Sequence, residues 1–173
     1  MREVMNNHFM KYIYKKGKNC VIADQVDIGI DTRVGNHVYV RENTVIGEKC
    51  VVGSFVDIEG DVVIGNRVSL QSGCYITRGV VIEDDVFCGP RLVTMNDKKM
   101  VYGRPHLKFE RNAPRICRGA RVGGGVVLLP GVIVGENAFV GAGSVVTKNV
   151  PVGVIVFGNP ACIVGEVPKD EWI

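Results

Sequence analysis

The residues best suited to chemistry lie close together in the stretch VTMNDKKMVYGRPHLKFERNAPRI, from Val93 to Ile116. The Asp97 carboxylate can accept hydrogen bonds, and the amide of Asn96 beside it can both donate and accept them. His106 is the only histidine in the stretch, and imidazole titrates near neutral pH, as a general base should. We predict that Asn96, Asp97 and His106 are catalytic. For His106 the alternative is an ordinary solvent-exposed or substrate-binding histidine.

The same stretch concentrates positive charge. It contains six basic and two acidic residues, a balance of +4 that exceeds the formal charge of +3 for the whole chain. A basic arm on a nearly neutral molecule favours an anionic ligand, and we predict that Arg91, Lys98 and Arg104 bind substrate. The alternative is a solvated loop whose charges keep it soluble. The charged residues are Lys98, Lys99, Arg104, Lys108, Arg111 and Arg115, with Asp97 and Glu110.

The elements that must position these residues follow a six-residue repeat. An aliphatic residue recurs at every sixth position, with one cysteine in the series, and the fourth residue after it is small or medium-sized and uncharged. Glycine follows nine of the eighteen repeat positions directly. The repeat positions are Ile22, Ile28, Val34, Val40, Ile46, Val52, Ile58, Ile64, Leu70, Ile76, Ile82, Cys88, Ile116, Val122, Leu128, Val134, Val140 and Val146.

Each unit predicts a short strand followed by a tight turn, in which the glycine supplies a positive φ. The fourth residue and the next aliphatic residue are two apart, so both face the same side of a strand. Such units bury their apolar side only by stacking on copies of themselves. Three units per coil give a triangular column of about six coils, on the order of 30 Å long. A β-sandwich is the alternative, but its strands and loops vary in length.

The repeat also divides the chain. We predict an N-terminal cap over residues 1–19, a repeat column over 20–151 and a C-terminal extension over 152–173. The interval from 94 to 115 contains 22 residues. Because this length is not a multiple of six, the interval must leave the column as an inserted loop, and long loops on a rigid scaffold are often functional.

Composition narrows the functional classes. A length of 173 residues suits one domain, and the mild charge implies neither nucleic-acid nor membrane-surface binding. No apolar run reaches the roughly 18 residues of a membrane span, and the start MREVMNNHFMKYIYKKGKN lacks the apolar segment of a signal peptide. The six cysteines include no C-x-x-C and no pair eighteen apart, which predicts packing roles in a reducing cytosol rather than disulfides or a metal site.

The outward positions of the repeat are more apolar than a solvent-exposed face should be. Val45, Val63 and Val81 are eighteen apart and therefore stack on one face. A patch of this kind usually marks an interface, so we predict a symmetric homo-oligomer. The alternative is that the valines serve only β propensity.

This pattern resembles the hexapeptide-repeat acyltransferases. The similarity covers about residues 20–165 and is strong in RGARVGGGVVLLPGVIVGENAFVGAGSVVTKNVP and GNPACIVG. The resemblance implies an all-β fold, a left-handed parallel β-helix, that forms a homotrimer with active sites between subunits. It implies acetyl-CoA as co-substrate, with contacts from Gly123, Gly124, Gly141, Ala142, Lys148, Asn159, Pro160 and Ala161. Family members usually carry Lys or Arg where this chain has Cys162, so a phosphate contact is either lost or supplied by Arg118 or Arg121.

The run IEDDVFCGPRLVTMND is similar to the branch of that family that acetylates amines on nucleotide-linked amino sugars. In that branch a comparable segment ends in an Asn at the loop entry, which is Asn96 here. The resemblance thus implies N-acetyl transfer in a ternary complex. One alternative is an O-acetyltransferase for a sugar or small alcohol, although these generally have a His at the loop entry. Another is a non-catalytic β-helical scaffold; a zinc-dependent carbonic anhydrase of the same fold would need closely placed histidines.

Overall fold

The computed structural model describes residues 14–173, which form one β-column. The predicted N-terminal cap, residues 1–19, therefore lies mostly outside the described residues. The described part ends in a short 3-10 helix, Lys169–Glu171. Its strands are β1 (Lys15–Lys16), β2 (Val21–Ile22), β3 (Asp27–Ile28), β4 (Arg33–Val34), β5 (Tyr39–Val40), β6 (Val45–Ile46), β7 (Val51–Val52), β8 (Asp57–Ile58), β9 (Val63–Ile64), β10 (Ser69–Leu70), β11 (Tyr75–Ile76), β12 (Val81–Ile82), β13 (Phe87–Cys88), β14 (Val93–Thr94), β15 (Arg115–Ile116), β16 (Arg121–Val122), β17 (Val127–Leu128), β18 (Ile133–Val134), β19 (Phe139–Val140), β20 (Val145–Val146), β21 (Val154–Gly158) and β22 (Ala161–Glu166).

The strands wind around three faces, because each short strand pairs in parallel with the strands three places away in the chain. Face A contains β1, β4, β7, β10, β13, β16, β19, β21 and β22; face B contains β2, β5, β8, β11, β14, β17 and β20; face C contains β3, β6, β9, β12, β15 and β18. The turns that follow these faces form corner AB, corner BC and corner CA. The predicted all-β parallel helix is confirmed.

The column is longer than the predicted six coils. Face A has eight parallel strands, face B seven and face C six. The additional layers come from β1 and β21, which lie outside the six-residue repeat, and from β14, where Thr94 takes the buried position of an aliphatic residue. At the C-terminal end β22 turns back and pairs antiparallel with β21.

Both predicted inward positions line the core. The repeat positions from Ile28 onward are buried, and so are the fourth residues after them, such as Val38 and Ala138. These side chains meet inside the column, so removal of their apolar surface from water holds the coils together. Cys50 and Cys74 are buried in this core as their repeat positions predict, and all six cysteines of the chain are free.

The structure corrects the role assigned to the glycine that follows a repeat position. None of those nine glycines has a positive φ. The left-handed conformation occurs two residues later, as at Asp31 (φ 61°) and Gly125 (φ 66°). Glycine is required instead because the coils approach closely at these corners. A Cβ atom on Gly89 would lie 2.4 Å from the backbone nitrogen of Gly124 in the next coil.

Candidate functional site

A long loop leaves the column at corner BC. It occupies residues 95–114 between β14 and β15, one residue shorter at each end than the predicted 94–115. The two ends of the loop run side by side, since the Asn112 N–H donates to the Asn96 carbonyl at 2.8 Å. Asn112 also packs against Gly131, where a Cβ atom would overlap its side chain. The base of the loop is therefore fixed against the next coil of corner BC.

A cavity of about 570 Å³ lies between the base of the loop and corner BC. This volume is in the range of small-molecule binding sites. Its walls combine charged, polar and apolar side chains, so it can contact several parts of one ligand. The lining residues are Arg41, Glu59, Tyr75, Thr77, Arg78, Met95, Asn96, Asp97, Met100, Phe109, Arg111, Leu129 and Pro130.

Two of the three predicted catalytic residues line this cavity. The side-chain nitrogen of Asn96 donates to the Arg78 carbonyl at 2.9 Å, which ties the loop entry to the neighbouring coil. Asp97 forms an antiparallel bridge with Arg111 and is exposed. A substrate in the cavity can therefore contact Asn96 and Asp97 together.

Three arginines also line the cavity, and carboxylates bind all of them. The ion pairs are Arg78 with Glu42, Arg78 with Asp61 (2.6 Å), Arg111 with Asp61 (3.9 Å), Arg41 with Asp57 (4.0 Å) and Arg41 with Glu59 (3.8 Å). The hydrogen bond from Arg78 lowers the pKa of Glu42. The positive charge of these arginines is thus balanced within the chain, which weakens the expectation that the cavity itself attracts an anion.

A tyrosine of face B and a glutamate of corner BC are bound to each other. The Tyr75 hydroxyl donates to Glu59 Oε1, and the backbone N–H of Arg78 donates to Glu59 Oε2 at 3.1 Å. The hydrogen bond to Glu59, followed by burial, raises the pKa of Tyr75 to about 12. The phenol therefore stays protonated near neutral pH and remains a donor to the Glu59 carboxylate. Burial also raises the pKa of Asp57 on the same face.

The sequence interpretation missed these charged residues, although their spacing marks them. Stacked residues at one corner are eighteen apart in sequence. Counting back eighteen from Asn96 gives Arg78, and counting back from Thr77 gives Glu59 and then Arg41. The loop entry thus identifies the corner, and the repeat identifies its neighbours along the column.

The other predicted catalytic and substrate-binding residues do not line the cavity. His106 is exposed on the loop. Lys98 lies 3.7 Å from Glu110, and the Arg104 guanidinium donates to a carbonyl of the loop at 3.0 Å. Arg91 lies on corner AB, at the opposite edge of face B. The roles assigned to these four residues stay predictions.

Most of the predicted coenzyme residues come together at corner AB. The Gly158 N–H donates to the Ser144 hydroxyl at 3.0 Å, which fastens the turn between β21 and β22 to this corner. Glycine stacking brings the backbones close, since a Cβ atom on Gly123 would lie 2.5 Å from the Ala142 nitrogen. Open backbone at this corner lies instead at Gly125 and Gly143, where a Cβ atom would meet nothing within 4 Å, because Phe157 fills the space beside Gly141. The predicted residues here are Gly123, Gly124, Gly141, Ala142, Asn159, Pro160 and Ala161.

The predicted basic contacts of the coenzyme lie on other corners or are bound within the chain. Lys148 is exposed on corner BC, the corner that also carries the cavity. Arg118 lies on corner CA, 3.5 Å from Asp85. Arg121 binds Glu171 at 2.6 Å. Neither arginine lies beside Cys162, which is exposed on β22.

Within residues 14–173, no three His, Cys, Asp or Glu side chains are grouped as they would be around a metal ion. The range also contains no helix with the length and apolar character needed to cross a bilayer.

Residues 43–78 and 113–148 match the bacterial transferase hexapeptide family (six repeats). The two matched segments lie on either side of the loop. The family match therefore covers the column, whereas most of the loop, with Asn96, Asp97 and His106, lies outside it.

Several characterised proteins share parts of this sequence. A serine acetyltransferase from Buchnera aphidicola is 38% identical over 102 residues, covering 58% of this chain and 34% of the relative. A galactoside O-acetyltransferase from Lactococcus lactis is 54% identical over 51 residues, 30% of this chain and 25% of the relative. A dTDP-3-amino-3,6-dideoxy-α-D-galactopyranose 3-N-acetyltransferase from Aneurinibacillus thermoaerophilus is 48% identical over 52 residues, which are 30% of this chain and 27% of the relative. The chain matches only about a quarter to a third of the length of these relatives.

Solved structures extend the likeness along the column. The product of the Bacillus cereus BC4754 gene has a TM-score of 0.53 and 26% identity, covering 91% of this chain and 86% of that one. A serine acetyltransferase in complex with cysteine has a TM-score of 0.58 and 27% identity, and the match covers 68% of this chain and 44% of the serine acetyltransferase chain. The shared part is the β-column.

Proposed function

The chain belongs to the bacterial transferase hexapeptide-repeat proteins, and on that premise we propose that it transfers an acetyl group from acetyl-CoA to the amine of a nucleotide-linked amino sugar. The observation that carries the proposal is the cavity at corner BC, where Asn96 and Asp97 line the loop entry. Further support comes from the Aneurinibacillus relative, whose name states N-acetyl transfer to a dTDP-linked amino sugar.

In the proposed reaction the ammonium group of the acceptor first releases one proton to solvent, and the neutral amine then attacks the thioester carbon. The nitrogen–carbon bond forms, the carbon–sulfur bond breaks, the amine loses one proton and the departing thiolate gains one. Asp97 accepts a hydrogen bond from the amine and takes up its proton, while Asn96 orients the sugar. A backbone N–H beside the thioester stabilises the oxyanion that develops on its carbonyl oxygen.

The coenzyme binds along corner AB in this proposal. The pantetheine arm follows the stacked turns of Gly123 and Gly141 and approaches the backbone at Gly125 and Gly143, where a Cβ atom would meet nothing within 4 Å. Asn159, Pro160 and Ala161 contact the adenine end. On one chain, corner AB and the cavity at corner BC are opposite edges of face B. The reacting atoms must come within about 3–3.5 Å, so corner AB of one subunit packs beside the cavity of its neighbour in a homotrimer. Lys148, on corner BC, then lies near the coenzyme phosphates of that neighbour.

An O-acetyltransferase is the second candidate, because the serine and galactoside relatives are named for acetyl transfer to compounds that offer hydroxyl groups. A hydroxyl acceptor needs a general base more than an amine does. His106, the predicted base, is exposed and does not line the cavity. This placement supports the amine acceptor.

The proposal is tested by following thiol release from acetyl-CoA with dTDP-, UDP- and GDP-linked amino sugars and with their hydroxyl counterparts. We expect at least one amino sugar to be converted, with a product that is heavier by one acetyl group and resistant to mild alkaline hydrolysis, as an amide is. Products formed only from hydroxyl sugars or small alcohols would instead identify the second candidate. Absence of thiol release with every acceptor would contradict both.

A further inference from the structure

Glu59 is an acidic side chain that the column itself, rather than the loop, fixes in the cavity wall. Tyr75 donates a hydrogen bond to one carboxylate oxygen and the Arg78 backbone N–H donates to the other. The side chain is 22% exposed. Two donors from the adjacent coil thus hold the carboxylate in one orientation, with the Arg41 guanidinium 3.8 Å from Oε1, and part of the carboxylate surface remains available to a ligand.

The charges around Glu59 favour a cationic group in the cavity. The three lining arginines are Arg41, Arg78 and Arg111; the carboxylates that line the cavity or bind these arginines are Glu42, Asp57, Glu59, Asp61 and Asp97. Only Glu59 and Asp97 of these carboxylates line the cavity, and the other three bind the arginines from its surroundings. The arginines are therefore engaged by carboxylates rather than free to bind a phosphate, and a cationic ligand group can pair with Glu59.

We propose that Glu59, held by Tyr75, is the residue that makes the cavity select an ammonium-bearing sugar over the same sugar with a hydroxyl group. This inference rests on the proposed function only in that the acceptor occupies this cavity. Glu59 contacts the ligand and Tyr75 is a positioning residue that acts through it. A hydroxyl at the same place cannot complete an ion pair with Glu59, so a hydroxyl sugar binds more weakly.

The placement also divides a nucleotide-linked acceptor between two environments. Its amino-sugar end lies against Glu59 inside the cavity, and its phosphates remain outside the cavity, where the lining arginines are already bound by carboxylates. Arg104 and Lys108 are exposed on the loop and carry positive charge beyond the cavity walls. An acceptor with a cationic end and an anionic end thus matches the distribution of charge from the corner to the loop.

The test measures the binding of two nucleotide sugars by isothermal titration calorimetry in the absence of acetyl-CoA. The two probes are dTDP-3-amino-3,6-dideoxygalactose and its 3-hydroxy counterpart, titrated into the full chain. The variants are Glu59→Gln, which keeps the shape and removes the charge, and Tyr75→Phe, which keeps the charge and removes its donor. Glu48→Gln is the control, because Glu48 is an exposed carboxylate on corner CA, away from the cavity.

We expect the wild-type chain and the Glu48→Gln control to bind the amino sugar about 10- to 100-fold more tightly than the hydroxy sugar, since the hydroxyl can donate a hydrogen bond to Glu59 but carries no charge to pair with it. Glu59→Gln should bring the two affinities within about 3-fold of each other. Tyr75→Phe should weaken amino-sugar binding while retaining the preference for it, an outcome that general loss of structure would not produce.

Equal affinity of the wild-type chain for the two probes, including no measurable affinity for either, overturns the inference. A preference that survives in Glu59→Gln overturns it as well. The proposed function fails separately. If the amino sugar binds selectively but acetyl-CoA yields no acetylated product with it, Glu59 selects the amine and the catalytic proposal is wrong.

Discussion

His106 is exposed on the loop and does not line the cavity, so its effect on catalysis separates the two acceptor chemistries. A general base typically contributes a factor of about 10² to 10⁴ to the rate. We expect His106→Ala to lower kcat by much less than 10²-fold with an amino sugar as acceptor, because a useful fraction of the amine is neutral at cellular pH. His37→Ala, on corner AB, is the matched control. A loss of 10²-fold or more confined to His106→Ala would restore the base role.

At the scale of single residues, the sequence analysis predicted the residues of the loop entry but missed the residues of the column that line the same cavity. Asn96 and Asp97 could be predicted because they interrupt the repeat and resemble a known segment. Glu59, Tyr75 and Arg78 lie inside regular repeats, where the same residue types also occur on ordinary solvent-exposed corners. Only the fold of the loop over corner BC distinguishes them, and the path of a 20-residue loop does not follow from the six-residue spacing.

At the scale of the element, the glycines after the repeat positions allow successive coils to stack closely. A Cβ atom on Gly89 would lie 2.4 Å from the Gly124 nitrogen, a contact that backbone movement alone can relieve. We expect Gly89→Ala to destabilise the column by about 1–3 kcal/mol, as overpacking typically does. Gly165→Ala is the control, since its added Cβ would meet nothing closer than 3.9 Å. Thermal unfolding of the two variants checks this, and equal melting temperatures would show that the coils can separate at corner AB.

The pattern predicted these elements more securely than it predicted their turns. A period of six with two inward positions determines the strands, because only stacking buries them. The same glycine is compatible with a positive φ or with a close backbone approach, and spacing does not separate these causes. The predicted number of coils was too low because the repeat pattern counts only aliphatic residues at the inward positions. Thr94 fills an inward position by hydrogen bonding to Thr77 at 2.9 Å, which an aliphatic repeat does not anticipate.

We expect the column to fold without the loop. Its ends join β14 to β15, a connection that elsewhere on corner BC takes four residues, such as RENT between β5 and β6. We expect that replacing residues 95–114 with RENT leaves the β-sheet circular dichroism and acetyl-CoA binding in place. Acetyl transfer should fall at least 10²-fold, because Asn96, Asp97 and one wall of the cavity are removed. Transfer at the wild-type rate would place the acceptor site elsewhere.

For the whole molecule, the decisive feature is the apolar ladder on face C. Val45, Val63 and Val81 stack in register, and Val63 is 47% exposed on the single chain. Exposed ladders of this kind usually pack against another subunit. We expect the purified protein to be a trimer of about 56 kDa by light scattering, three times the 18.8 kDa of one chain.

Val63→Glu tests what that assembly does. A charge in the middle of the ladder should shift the mass towards one chain, because an unpaired carboxylate would be buried at the contact. Val152→Glu is the control, since Val152 is also exposed (55%) but lies in the turn before β21. If the reactants meet between corner AB of one subunit and the cavity of the next, the dissociated Val63→Glu chain should lose acetyl transfer together with its mass shift. A monomeric variant that still transfers acetyl groups would mean that one column holds both substrates, with the pantetheine arm crossing face B.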